Sequence, residues 1–149
     1  MPPRLILASQ SKIRAELLRR ANVAFGTESP RIDEGAIKRG LEASGAHPRD
    51  IADALAEAKA KKVAGRHPSS LVLGCDQVLT LGRTVFSKPL TREEAISQLD
   101  RLKGQTHQLL SAAVLYENDA PVWRHVGQVR LTMRDATDAY IQGYVERNW

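Results

Sequence analysis

The residues of this chain that can do chemistry are two hydroxyls, a few basic groups and a small number of carboxylates, most of them where one element gives way to the next. Ser9 and Ser11 lie in Leu7-Ala8-Ser9-Gln10-Ser11-Lys12-Ile13-Arg14. The apolar run before them reads as a buried strand. The positions after them, Ile13, Leu17, Leu18 and Ala21, return at helical spacing. A strand, a hydroxyl turn and a helix start aim N–H groups, hydroxyls and the positive end of the helix dipole at one spot, an arrangement suited to phosphate. The same residues also describe an ordinary junction with Ser11 as N-cap. No Walker loop, G-x-x-x-x-G-K-[ST], occurs.

Asp76 ends the apolar run Leu71-Val72-Leu73-Gly74-Cys75. A carboxylate there is costly unless it is paired or binds a metal, and strand ends of open α/β sheets are where ligands sit. It can equally cap the next turn. Lys59 falls four residues after Leu55 and four before Val63, near the buried face of its helix, where snorkelling is the plain alternative. Lys88 precedes Pro89, which favours an extended backbone and sets its direction. Asp33 and Glu34 are adjacent acids in the loop from Ser29 to Gly35. Oxygen ligands from Glu34 and Asp76 suit Mg²⁺ or Mn²⁺ shared with substrate phosphates. The four histidines are spread without zinc spacing, and Cys75 reads as a small core residue.

The elements that must hold these groups interleave. Strands are expected at Leu5–Leu7, around Val23–Thr27, from Leu71 through Leu81, at Val85–Ser87, and as a pair over 109–116 and 122–133. Helices are expected after Ser11, over 36–43, from Pro48 to near Gly65, after Thr91 with its T-x-x-E capping box, and from Asp135 to the end. Hairpins beside helical crossovers predict an α/β or α+β fold with a mixed twisted sheet flanked by helices. No linker or repeat divides residues 1–149, so one domain is expected.

A content of 42% hydrophobic residues gives an ordinary core, which low aromatic content makes aliphatic. No apolar run approaches the roughly 18 residues of a membrane span. Arg4 after Pro2-Pro3 argues against a secretory signal, and a single cysteine forbids an internal disulfide. The expectation is a cytoplasmic protein. A net charge of +5 favours anionic partners. The basic residues are scattered and not interleaved with aromatics, so a small polyanion fits better than nucleic acid.

In this order, the motifs resemble the Maf family of nucleoside triphosphate pyrophosphatases, also known as septum-formation inhibitors. The resemblance rests on L-A-S-x-S-x-x-R at Leu7–Arg14, D-E at Asp33-Glu34 and L-A-x-x-K-A at Leu55–Ala60. It continues with G-x-D at Gly74–Asp76, Lys88-Pro89 and Gly104-Gln105-Thr106-His107. It implies a Maf/ITPase-like fold and metal-dependent cleavage of a nucleoside triphosphate to monophosphate and pyrophosphate. Asp76 would be the general base and, with Glu34, a ligand of Mg²⁺ or Mn²⁺. Ser9, Ser11, Arg14, Lys59 and Lys88 would line the phosphates. Ile13 and Gln77 occupy positions tied to the base; Gln77 resembles the 7-methyl-GTP branch, whereas Ile13 departs from the aromatic some of its members carry. The resemblance further implies a homodimer and a glycine-rich C-terminal segment that does not follow Trp149, so a shortened family domain is expected. A catalytically weak, nucleotide-binding regulator of cell division is the alternative.

Overall fold

The computed structural model describes residues 4–149, so Pro2 and Pro3 lie outside the described residues. In chain order the elements are β1 (Leu5–Leu7), α1 (Lys12–Arg20), β2 (Gly26–Thr27), α2 (Glu34–Ala43), α3 (Pro48–Ala64), β3 (Leu71–Leu81) and β4 (Thr84–Phe86). They continue with α4 (Arg92–Leu102), β5 (Thr106–Glu117), β6 (Ala120–Thr132) and α5 (Asp138–Asn148). The sheet has six strands in the order β2-β1-β3-β5-β6, with β4 paired to β3. β1 runs parallel to β2 and β3, and β3 antiparallel to β4, so the sheet is mixed as expected.

The chain forms two compact units, residues 1–77 with 111–127, and residues 78–110 with 128–149. In the first, α3 is the most deeply buried helix. Its Ile51, Ala52, Leu55, Ala56, Ala60 and Val63 are buried, together with Leu7, Val72 and Val114 of the strands. Burial of β3 alternates residue by residue, so the apolar run is covered on one face and half-open on the other. Gly74 sets the distance between β3 and α3. A Cβ there would overlap the Ala56 carbonyl oxygen and lie 2.7 Å from the Ala60 nitrogen. Only glycine lets helix and strand approach this closely. On the same unit, Arg124 of β6 reaches Asp53 and Glu57 of α3 at 2.6 and 2.8 Å.

In the second unit, Leu79, Thr80 and Leu81 pair with Phe86, Val85 and Thr84 around a turn in which Gly82 has φ +60°. α4 and α5 pack together, burying Leu102, Ile141 and Val145. Thr91 caps α4 by accepting from the Glu94 N–H at 3.1 Å. The reciprocal arm of the box lands one residue early: Glu94 Oε2 accepts from the Leu90 N–H at 2.7 Å, not from Thr91. Two further expectations move. β2 is only two residues, because the parallel pairing to β1 covers no more than Gly26 and Thr27. The last helix starts at Asp138, not Asp135, because Thr137 supplies the cap, accepting from the Tyr140 N–H at 3.1 Å.

Candidate active site

The β1–α1 turn is built by its own hydroxyls. Ser9 Oγ accepts from the Ser11 N–H at 3.0 Å, and Ser11 Oγ accepts from the Arg14 N–H at 3.2 Å. Ser11 is therefore the N-cap of α1, and the capped turn is also one wall of a cleft of about 480 Å³. The cap reading and the binding-wall reading describe the same geometry.

The opposite groups come from α3, β3 and the start of α2. Lys59, 5% exposed, places Nζ 3.0 Å from Asp76 Oδ1, 2.9 Å from Glu34 Oε1 and 3.2 Å from the Cys75 carbonyl oxygen. It does not snorkel; it is a buried cation between two carboxylates. Asp76 is 7% exposed, and its Oδ2 has no hydrogen-bond partner among the described residues. Burial raises its pKa above the ordinary carboxylate value, and Glu34 adds to the rise; Lys59 and, more weakly, Arg14 oppose it. Burial likewise pushes the Cys75 thiol up despite Arg14 and Lys59, which suits a packed side chain rather than a nucleophile. Asp33 is the N-cap of α2, accepting from the Ala36 N–H at 3.0 Å, so the acidic pair is divided between a structural cap and Glu34, which faces Lys59.

Six of the expected site residues thus share one cleft: Ser9, Ser11, Arg14, Glu34, Lys59 and Asp76, all in the first unit. The other three do not line it. Ile13 is 76% exposed and belongs to a second cleft of about 680 Å³ along α1, which shares Ser9, Gln10 and Ser11 with the first. Strand alternation turns Gln77 to the face opposite Asp76, where its Nε2 donates to Ser111 Oγ at 2.9 Å. Lys88 is exposed in the second unit, after β4.

Sequence reasoning missed Arg31. It lines the cleft with φ +50°, a left-handed backbone that costs a non-glycine residue roughly 1–2 kcal/mol. The only signal in the sequence was a guanidinium directly after Pro30 in the loop that carries the acids.

Among the described residues no three His, Cys, Asp or Glu side chains gather into a cage. A buried, unpartnered Asp76 oxygen beside the half-exposed Glu34 nevertheless fits a hard cation that takes the rest of its shell from phosphate oxygens and water.

Asp76 lies in the middle of β3, just past the stretch paired in parallel with β1, and not at a strand end as expected, because the strand runs on to Leu81. A mixed sheet with helices, and a hydroxyl turn after β1 lining one pocket with a carboxylate, define an α/β protein. Its architecture is similar to that of a HAM1 protein from Coxiella burnetii, with TM-score 0.52 and 18% identity over 90% of this chain and 74% of that one, a likeness of fold alone. The Maf-like protein family matches residues 4–149, and the chain belongs to that family. A nucleoside triphosphate pyrophosphatase of Ruegeria sp. (strain TM1040) is 59% identical over 149 residues, all of this chain and 75% of that protein. A 7-methyl-GTP pyrophosphatase of Brucella abortus biovar 1 (strain 9-941) is 46% identical over 147 residues, 99% of this chain and 74% of that protein. No helix among the described residues is long and apolar enough to cross a membrane.

Proposed function

We propose that this protein is a nucleoside triphosphate pyrophosphatase, a hydrolase that converts a triphosphate and water to the nucleoside monophosphate and pyrophosphate. The observation that carries the proposal is the unpartnered Oδ2 of buried Asp76, held by Lys59 in a cleft whose other wall is the capped N-terminus of α1. The names of relatives at 46–59% identity support the same activity.

In this reading the α1 N-terminus, the Ser9 and Ser11 hydroxyls and Arg14 hold phosphate oxygens. Asp76 takes the proton of the attacking water, and its raised pKa makes it a better base than an exposed aspartate. Lys59 keeps the carboxylate in place and supplies positive charge where the transition state gathers negative charge. Asp76 and Glu34 would hold Mg²⁺ or Mn²⁺, which supplies Lewis-acid stabilisation of the phosphates when bound. Lys88 keeps its place as a phosphate ligand on the family resemblance alone. The name of the Brucella relative supports a 7-methylated base, as does Gln77 on the family resemblance alone, and the single cysteine supports a reducing, cytoplasmic setting.

The test is pyrophosphate release from a panel of triphosphates that includes 7-methyl-GTP, with Mg²⁺ or Mn²⁺. Turnover that disappears in Asp76→Asn supports the proposal. Thermal stabilisation by triphosphate with no product would replace it with the binding-regulator reading.

A further inference from the structure

We infer that Arg31 is an additional polyphosphate-binding residue of this cleft, presented by a loop whose backbone is held in a conformation arginine rarely adopts. The inference rests on the proposed function for its substrate class, and on Arg31's own geometry for its role. The loop is anchored at both ends. Pro30 is buried, the Ser29 carbonyl oxygen accepts from Arg66 Nη2 at 3.2 Å, and Asp33 caps α2. Between these anchors Arg31 stands at φ +50°. A turn that needs positive φ is ordinarily filled by glycine or asparagine. Backbone strain of this kind persists where the surrounding structure imposes it, commonly at ligand sites.

The charges lining the cleft give the guanidinium its purpose. Three cations, Arg14, Arg31 and Lys59, face three carboxylates, Asp33, Glu34 and Asp76. Lys59 is already engaged by two of those carboxylates. Arg31 is exposed and makes no hydrogen bond or ion pair among the described residues. Without it the side chains of the lining would carry more negative than positive charge before any cation binds, leaving Arg14 as the one cation of the lining not already held by a carboxylate. With it, the cleft offers guanidinium groups from two different walls, α1 and the loop before α2. A guanidinium grips phosphate through paired N–H donors in a way a lone ammonium does not.

The experiment compares wild type with Arg31→Gly, Arg31→Ala and Arg31→Lys. It measures KM and kcat for the best triphosphate, inorganic pyrophosphate binding by calorimetry with Mg²⁺, and thermal midpoints. Removing the guanidinium should raise both KM and the pyrophosphate Kd about tenfold or more, with a smaller effect on kcat, in the glycine and alanine variants alike. Arg31→Lys should restore part of the loss. Arg31→Gly should also melt higher than Arg31→Ala, because glycine relieves the positive φ. A glycine variant with wild-type KM and pyrophosphate affinity would overturn the inference. So would a defect confined to alanine, which would make the residue's role one of backbone conformation. If wild type turned over no triphosphate while pyrophosphate still bound in an Arg31-dependent way, the pyrophosphatase proposal would fall and this inference would stand.

Discussion

Lys59 and Asp76 are unequal partners, and that inequality can be measured. Lys59 has a second carboxylate in Glu34 and a carbonyl in Cys75, whereas Asp76 has only Lys59. Lys59→Met therefore leaves a buried carboxylate uncompensated beside another acid, and should cost about 3–5 kcal/mol in urea unfolding. Asp76→Asn should behave in the opposite way. Because folding raises the Asp76 pKa, the native state favours its protonated form. The stability this contributes is complete below the ordinary carboxylate value and is lost as pH rises through the raised one. In chelator, the thermal midpoint of Asp76→Asn should exceed that of wild type at neutral pH, and the gap should close on acidification. Equal midpoints at neutral pH would contradict the burial argument. The same substitution should cut kcat by about 10²-fold or more, the usual contribution of a general base.

At the scale of elements, the contact between α3 and β3 is what makes the pair possible. Gly74 is the only residue type that fits there, since its missing Cβ would meet backbone atoms that cannot swing aside. Gly74→Ala should destabilise the protein by about 1–3 kcal/mol or more. It should also lower kcat, because Lys59 adjoins Ala60, one of the residues pushed away, and Asp76 lies two residues after Gly74. Chemical unfolding and steady-state kinetics on one preparation would show whether the two losses travel together. Thr91→Ala provides the contrast. It removes the α4 cap and should cost about 1 kcal/mol, with no residue of the candidate cleft altered.

For the molecule as a whole, the ligand becomes a stabiliser. The cleft binds its polyanion only when α1, α2, α3 and β3 are all in place, so triphosphate with Mg²⁺ should bind the folded state alone. At a concentration of about 100 times Kd the gain is about 2.7 kcal/mol, or roughly 5–10 °C in thermal midpoint for a chain of this size. A shift of similar size with pyrophosphate at the same molar concentration would locate most of the binding energy in the phosphate-binding half. The net charge of +5 works in the same direction, drawing anions in, and the effect should weaken as salt is added.

Much of this was legible in the sequence because it depends on local rules. The serine-capped turn, the strand from Leu71 through Leu81 that carries Asp76, the Thr91 cap, the order of elements and the mixed sheet follow from residue type and spacing. So does the placement of Lys59 on the inner face of its helix. Tertiary structure decided what those rules cannot reach, namely distances between segments far apart in sequence. It brought one carboxylate oxygen of Glu34 and one of Asp76 to within 3.0 Å of the single ammonium of Lys59. It split Asp33 from Glu34 into a helix cap and a partner of Lys59, and turned Gln77 away from Asp76 by the simple alternation of a strand. It also gave Arg31 a role that no spacing rule carries, because a backbone angle and the wall it faces are set only when the loop is pinned at both ends.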